Sequence, residues 1–522
     1  MRRFAALLLA AVLALCLAAC APAETAAEEV TVRYGLSSAW DSLMPYNSPS
    51  GSNYSRIVYD KIYDRLAYVH ADGTLDPRAA DSWESTEDGY GVLFHLNQNA
   101  AFHDGTPVTA EHWVETIRLM SDPACPALGC GAFSVLVGTD EAGKAVSGET
   151  LGAEAVDEYT LKLTFKTPTT PEDFLLDKNR EYYVLPTHLL EDTDPAQILE
   201  LELWNAPVGS GPCKFVSETA GSQLVLEANP EYQLGEPGFD RLVITVMDKS
   251  NLLTSLIAGD LDYYAFGGNV SVEDAQVARD AGLEVLEGTV PNYFYELMLN
   301  NETIPSAQVR RAIDLALDKE ALCLQSAQGL GEPAFSDLTP GTEYATDGSW
   351  SRDVEGARAL LEQGGYDGQS YKLACTSNRS GLAALMQQEL AEADIQVSIE
   401  TVDSATLFSG MVEGRYDMAI ASHTPGALPL WFTESRLSEG NNIFHVADLT
   451  PYTEAIAAIK AESDTARRKV LVEELQALLA DQRPFIPLWF SRTLHVQSPT
   501  VTGIDYPSST FSNENVWDWV KQ

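Results

Sequence analysis

The residues that could act as nucleophiles, bases or metal ligands are scattered along this 522-residue chain. No His-Glu-x-x-His pair and no Cys/His ligand spacing is present, so the sequence encodes no metal site locally. The Gly-x-Ser-x-Gly elbow that exposes the nucleophile of α/β-hydrolases is also absent. The motifs therefore give catalysis no support. The histidines are His70, His95, His103, His112, His188, His423, His445 and His495.

The N-terminus has the residue pattern of a secretion signal. Arg2 and Arg3 precede an apolar run that ends in Leu17–Cys20. A run of this length behind a positive start predicts a secretion signal rather than a membrane span. In an exported protein later cysteines can be oxidised, and Cys125 and Cys130 are close enough in sequence to close a small loop. They are a candidate disulfide, with two free thiols as the open alternative.

The charge balance excludes one class of partner. Acidic residues number 76 against 33 basic ones, which gives a net charge of -43 at pH 7. Such a surface repels phosphates, so we expect no nucleic-acid binding. A chain of 522 residues is also too long for one hydrophobic core, which predicts two or three domains.

Hydrophobic patterns predict the elements that must position these side chains. Residues 159–165 alternate as a strand does, and residues 309–316 place an apolar stripe on one face of a helix. Asp353 is the predicted N-cap of a helix that ends at 364–365, and Ser250 the predicted cap of a shorter helix. Helices that alternate with strands indicate α/β layers.

Residues 101–111 predict the end of a strand, a tight turn at Asp104 and a helix capped by Thr109. The surrounding segment 102–117, FHDGTPVTAEHWVETI, resembles a signature of the extracytoplasmic solute-binding proteins of ABC importers. The branch is the oligopeptide, dipeptide and nickel one, family 5. Five more blocks resemble that family in the same order: 63–66, 72–84, 209–215, 238–264 and 308–322.

The resemblance implies an α/β, two-lobed fold of the type II periplasmic-binding-protein kind, in the large three-domain form with a hinge cleft. Leu-Ala-Ala-Cys resembles a bacterial lipobox, which makes residues 1–20 a lipoprotein signal peptide, Cys20 the lipidated residue and 21–29 a tether. The implied domains are domain I (30–58, 205–288 and 490–522), domain II (59–204) and domain III (289–489).

The resemblance also implies where a solute is held. Arg379 lies about where dipeptide binders place a carboxylate-binding arginine, and Arg436 is a second cationic candidate. His423 follows the predicted strand that begins near Asp417, in a segment without the acid that peptide binders use for the ligand amine. Its imidazole can donate, accept or ligate, and its surroundings are closer to the nickel branch. Three loop aromatics, with core positions as the alternative, complete the candidates: Trp40, Tyr46 and Trp431.

The function that follows is a monomeric, lipid-anchored receptor in the periplasm or on the outer face of the cytoplasmic membrane. It would capture peptides or peptide-like solutes for an ABC permease and its ATPase, without a cofactor. A nickel chelate is the alternative ligand within the family. A secreted hydrolase is the alternative from another class, and turnover of a peptide or ester would distinguish it from a receptor.

Overall fold

The structure is a computed structural model that describes residues 29–48, 52–178, 181–264, 270–345, 348, 351–506 and 514–522. Cys20 and the predicted signal peptide lie outside the described residues. The strands are β1 (Thr31–Leu36), β2 (Ala67–Val69), β3 (Leu75–Pro77), β4 (Ala80–Ser85), β5 (Gly91–Leu96), β6 (Ala153–Asp157), β7 (Thr160–Thr164), β8 (Cys213–Thr219), β9 (Gln223–Ala228), β10 (Arg241–Val246), β11 (Tyr263–Tyr264), β12 (Glu284–Glu287), β13 (Tyr293–Leu299), β14 (Gly331–Pro333), β15 (Ser370–Cys375), β16 (Gln396–Thr401), β17 (Met418–His423), β18 (Leu437–Ser438), β19 (Asn441–Asn442), β20 (Phe485–Ser491), β21 (Leu494–Gln497), β22 (Val501–Thr502) and β23 (Val520–Lys521).

The α-helices are α1 (Asn53–Ile62), α2 (Ala110–Ser121), α3 (Pro171–Asp177), α4 (Lys249–Ala258), α5 (Val272–Asp280), α6 (Ala307–Ala316), α7 (Lys319–Ala327), α8 (Val354–Gly364), α9 (Ser380–Glu392), α10 (Ser404–Val412), α11 (Thr433–Arg436), α12 (Thr450–Ala461) and α13 (Thr465–Gln482). Short 3-10 helices cover Gly129–Val135, Thr187–Leu189, Pro195–Glu200, Glu202–Asn205, Ser377–Arg379 and Val516–Asp518.

The seven-stranded sheet gathers strands from distant parts of the chain, in the order β12-β21-β11-β1-β10-β9-β8. At its centre β1 runs parallel to both β10 and β11, while β9 pairs antiparallel with β10 and β8. Val32, Tyr34 and Leu36 alternate along β1 and are fully buried, because strand side chains two apart share a face.

An antiparallel four-stranded sheet, β4-β5-β7-β6, extends the same lobe. Its strand β7 confirms the strand predicted at 159–165. Leu161, Leu163 and Phe94 are buried in one hydrophobic cluster that also contains Val32 of the large sheet. Because one core runs through both sheets, we treat them together as the first lobe.

The turn after Phe102 fastens this extension to the large sheet. His103 accepts a hydrogen bond at Nδ1 from the Gly209 amide (3.1 Å), and its Nε2 lies 3.1 Å from the Gly211 carbonyl. Burial lowers the pKa of His103 to about 4, so the ring is neutral at pH 7 and can accept at one nitrogen and donate at the other. Thr109 is the N-cap of α2, as predicted.

The second lobe is built on a six-stranded sheet, β14-β20-β13-β17-β15-β16, with a hydrophobic cluster on each face. The predicted apolar stripe of α6 is confirmed, since Val309, Ala312, Ile313 and Ala316 are buried. β15 runs parallel to β16 and β17, and β13 lies antiparallel between β17 and β20. Helices cover this mixed sheet, which gives the α/β layering expected.

The predicted helix ends are confirmed in one case and wrong in another. The Asp353 side chain accepts from the Gly356 amide at 2.8 Å, and Gly365 ends α8 with φ +71°. The shorter helix α4 is capped by Asp248 rather than Ser250, because the Asp248 carboxylate accepts from the Ser250 amide at 2.9 Å. A carboxylate two residues earlier thus takes the capping role.

Candidate functional site

The two lobes are joined by a hinge of two chain segments, one between β12 and β13 and the other between β20 and β21. Their main chains are hydrogen-bonded to each other: Gly288 N donates to Thr493 O at 2.9 Å and Asn292 N to Ser491 O at 2.8 Å. The hinge is therefore a two-stranded ribbon that continues from one sheet into the other.

Away from the hinge the lobes touch through side chains. Asp173 on α3 of the first lobe forms an ion pair of 2.8 Å with Arg468 on α13 of the second lobe. The Arg468 guanidinium also lies 5.8 Å from the centre of the Tyr344 ring. The lobes also approach each other at Gly73 of the first lobe and Ala427 of the second. A methyl group added at Gly73 would lie 3.0 Å from the Ala427 side chain. We call this set of residues the interlobe contact.

Two cavities lie between the lobes beside the interlobe contact. The larger has a volume of ≈ 510 Å³ and a mixed polar and apolar lining, and the smaller, of ≈ 150 Å³, combines apolar walls with charged side chains. Side chains of the larger include Asp72, Thr74, Thr170, Glu343, Tyr344 and Ser463. Side chains of the smaller include Phe165, Phe174, Leu430, Asp177, Glu434 and Lys460.

Arg379 lies in the second lobe beside Tyr295 of β13, and it is not among the residues that line the two interlobe cavities. It caps α9, its Nη1 donates to Ile420 O at 2.9 Å, and its Nη2 to Ser422 Oγ at 2.5 Å. Its guanidinium lies 5.3 Å from the centre of the Tyr295 ring. Burial lowers its pKa, although an arginine stays charged at pH 7. Within the described ranges no carboxylate pairs with Arg379, so its positive charge is available to an anion.

His423 and Arg436 contact each other, and His423 also contacts Glu296. His423 Nε2 lies 2.7 Å from Glu296 Oε1, and His423 Nδ1 accepts from Arg436 Nη2 at 3.1 Å. Since arginine can only donate, Nδ1 is the acceptor and the Nε2 proton is directed at the carboxylate. The network lies on the opposite face of the sheet from Arg379, because His423 and Ser422 are consecutive in β17.

Trp431 lies on the loop that reaches the first lobe. Its Nε1 donates to Asp337 O at 2.9 Å, and its ring packs edge-on against Phe294 at 5.7 Å. The buried Asp337 carboxylate also accepts from Thr433 Oγ1 (2.6 Å) and Gln476 Nε2 (2.9 Å). Asp337 therefore holds both ends of the segment from Trp431 to Thr433.

Trp40 and Tyr46 belong to the first-lobe core. The Tyr46 hydroxyl donates to Tyr183 O at 2.7 Å and accepts from Tyr183 N at 2.9 Å, and only 2% of the residue is exposed. Trp40 is also buried, and its Nε1 donates to Glu218 Oε1 at 2.7 Å. Both therefore take the core alternative in this structure.

Cys125 and Cys130, the candidate disulfide, are free and buried thiols in the structure. Sequence reasoning missed the pairing of Asp173 with Arg468. The signal that was present is local: Thr170 caps α3 and Pro171 opens it, which predicts the helix but not its partner. Residues 295 positions apart cannot be paired by sequence spacing alone.

The described residues also bear on two other roles, membrane crossing and metal binding. No helix among them is long and apolar enough to cross a membrane. The same part of the chain contains no group of three or more His, Cys, Asp or Glu side chains arranged to hold a metal ion.

Comparison with known proteins gives consistent matches over most of the chain. It matches the family model of bacterial extracellular solute-binding proteins, family 5, middle region, over residues 74–443. It is 26% identical to di/tripeptide-binding protein 4 of Pseudomonas aeruginosa over 531 residues, which covers 96% of this chain and 97% of that protein.

Solved structures show the same fold. CtaP of Listeria monocytogenes, an ABC transporter substrate-binding protein, superposes with a TM-score of 0.79 at 20% identity, covering 95% of this chain and 100% of that one. NikZ of Campylobacter jejuni, solved in complex with Ni(L-His), gives a TM-score of 0.69 at 19% identity, covering 95% and 100%.

Two lobes on a two-stranded hinge, with cavities between them, define a two-lobed solute-binding protein. The chain belongs to family 5 of the bacterial extracellular solute-binding proteins, whose model matches well over half of it. It is accordingly an extracytoplasmic binding protein and not an enzyme.

Proposed function

We propose that this protein captures peptides or peptide-like solutes between its lobes for import by an ABC permease and its ATPase. The relative in P. aeruginosa is named a di/tripeptide-binding protein, and the similar Listeria structure an ABC transporter substrate-binding protein. Their names support the ligand class and the transporter. The hinge and the interlobe contact supply the means of capture, because a solute that contacts both lobes favours the closed form.

Arg379 is the observation that carries the ligand class. The protein has a formal net charge of -43, yet this half-buried guanidinium has two neutral acceptors and no carboxylate within the described ranges. A planar guanidinium binds a carboxylate through paired hydrogen bonds. A peptide ends in such a carboxylate, and Arg379 packs on Tyr295, the third residue after Asn292 of the hinge.

The proposed division into domains I (30–58, 205–288, 490–522), II (59–204) and III (289–489) is supported by the sheets. Every strand of the seven-stranded sheet falls in the first set of ranges and every strand of the four-stranded sheet in the second. The six-stranded sheet falls in the third, except for the last two residues of β20. Closure then moves domain III against domain II across the interlobe contact.

Calorimetric titration with di- and tripeptides tests the role of Arg379. Replacing a charged hydrogen-bond partner costs about 1.5–3 kcal/mol, so Arg379→Ala should weaken binding by roughly ten- to a hundredfold. Arg379→Lys keeps the charge but loses the planar fork, so it should recover part of the affinity. The same peptides with an amidated C-terminus should bind Arg379→Ala and the unmodified protein equally.

Equal losses for free and amidated peptides would show that Arg379 supports the fold rather than the carboxylate. A nickel–histidine chelate and a simple sugar belong in the same titration as ligands of other classes. Saturable binding of the chelate, with none of the peptides, would replace the peptide proposal with the nickel one.

The remaining parts of the proposal are the anchor and the assembly state. We propose that Cys20 is lipidated and tethers a monomer to the membrane, on the strength of the Leu-Ala-Ala-Cys sequence. Labelled fatty acid fed to expressing cells should appear in the protein and be lost in Cys20→Ala. Label that persists in this variant would contradict anchoring at Cys20.

A further inference from the structure

Cys125 and Cys130 form a pair of thiols in contact at the base of a surface loop. They are 4% and 2% exposed, while Leu128 between them is 63% exposed. Their side chains are hydrogen-bonded to each other, and Cys130 Sγ also lies 3.3 Å from Ala127 O. The loop between the cysteines thus covers a hydrogen-bonded pair of buried thiols.

The surroundings favour a thiolate on the first of the two sulfurs. The hydrogen bond from Cys130 lowers the pKa of Cys125 to about 6, while the same contact raises the pKa of Cys130. Lys144 adds positive charge, since its Nζ donates to Cys125 O at 2.9 Å. Elsewhere burial has the opposite effect and raises the pKa of Cys213 to about 12.

We propose that Cys125 and Cys130 are a redox-active dithiol that closes to an intramolecular disulfide outside the cytoplasm. The oxidant is a disulfide of a small thiol or of a thiol oxidoreductase. The Cys125 thiolate attacks one sulfur of that disulfide and releases the first thiolate. Cys130, deprotonated to solvent, then attacks Cys125 Sγ and releases the second. Two protein thiols lose two electrons and two protons, and the oxidant becomes two thiols.

The bond would stiffen a loop that supports the start of the first lobe. Gly129, inside the ring that the disulfide closes, donates from its amide to Tyr46 O at 2.9 Å. A side chain at Gly129 would press on the Tyr46 backbone, at 3.1 Å from its carbonyl oxygen, so the two segments are tightly apposed. Closing the ring restrains the unfolded chain, and we expect a higher Tm for the oxidised protein.

The test incubates the full chain with oxidised glutathione, both in the native state and during refolding from denaturant, where the thiols are accessible. Each sample is then unfolded, alkylated and mapped by mass spectrometry. The expected product has lost two hydrogen atoms, carries no alkyl group on Cys125 or Cys130, and melts at a higher temperature than its reduced form. Cys125→Ser should abolish the mass loss and the Tm difference. Cys323→Ser, at a distant cysteine, should change neither.

Alkylation of both cysteines in the native and the refolded sample alike would overturn the proposal. A stable glutathione adduct on Cys125 with Cys130 still alkylated would also overturn it, because the second exchange step would then have failed. Formation of the bond during refolding alone would support a disulfide made as the exported chain folds.

Discussion

The lobes are joined at the hinge by main-chain hydrogen bonds, whereas at the interlobe contact they meet through side chains. The hinge bonds persist as the lobes move, because they connect two crossing strands to each other. The pair between Asp173 and Arg468 connects one lobe to the other, so it exists only while they touch. The hinge therefore contributes to the stability of the fold, and the interlobe contact to the population of the closed form.

The largest expected effect is on the hinge. Gly288→Pro removes the amide that donates to Thr493 O and fixes φ in an extended ribbon. We expect a loss of about 3 kcal/mol in the free energy of unfolding, measured by urea denaturation. Gly288→Ala is the matched control, because its added methyl would meet its nearest neighbours at 3.4 Å, an ordinary contact. An equal loss in both variants would refute a role for the amide.

The end of the seven-stranded sheet next to the hinge should respond to acid through His495 of β21. Its ring packs 4.6 Å from the centre of the Tyr506 ring, and burial lowers its pKa to about 4. The unfolded chain, with an ordinary histidine pKa near 6.5, binds the proton first. Stability is therefore full above pH 6.5 and falls by up to about 3 kcal/mol as the pH drops to 4.

Urea denaturation at several pH values between 7 and 4 measures this effect. His495→Phe keeps a ring beside Tyr506 but cannot titrate, so its stability should fall less steeply over the same interval. His95→Gln changes a side chain that is 45% exposed and should keep the slope of the unmodified protein. Identical slopes for all three proteins would locate the acid response elsewhere.

Features set by neighbouring residues could be predicted from the sequence, and features set by distant residues could not. The strand at 159–165, the Asp353 cap and the apolar stripe of α6 follow from neighbouring residues, and all three are confirmed. The resemblance to relatives predicted Arg379 as a candidate, whereas its hydrogen-bond partners Ile420 and Ser422 are known only from the structure. The burial of Tyr46 in the core could not be predicted from sequence spacing, since its hydrogen-bond partner Tyr183 is 137 residues away.

A smaller effect is expected at the interlobe contact. Asp173→Asn leaves Arg468, whose side chain is 8% exposed, without its ionic partner. We expect about 1–2 kcal/mol less stabilisation of the closed form, and thus roughly tenfold weaker solute binding with little change in Tm. Small-angle X-ray scattering with saturating solute should show the same closed dimensions as the unmodified protein.

Two controls make this result interpretable. Exchanging the charges, with Asp173→Arg and Arg468→Asp together, should restore part of the affinity that either change alone removes. Glu355→Gln breaks a pair with Arg358 whose side chains are 85% and 42% exposed, in neither cavity lining, and should have almost no effect. A fall in Tm as large as that of Gly288→Pro would mean that the contact supports the fold instead.

The smallest effect concerns the loop that presents Ala427 to the first lobe. Thr433 is fully buried and donates to Asp337 at 2.6 Å, which fixes the end of that loop. Thr433→Val keeps the shape but loses the hydroxyl, at a cost of about 1 kcal/mol in the free energy of unfolding. Thr433→Ser retains the hydroxyl and should restore the Asp337 bond. If the loop transmits its position to the interlobe contact, Thr433→Val weakens solute binding and Thr433→Ser does so less. Unchanged binding by Thr433→Val, despite the lower stability, would separate the loop anchor from closure.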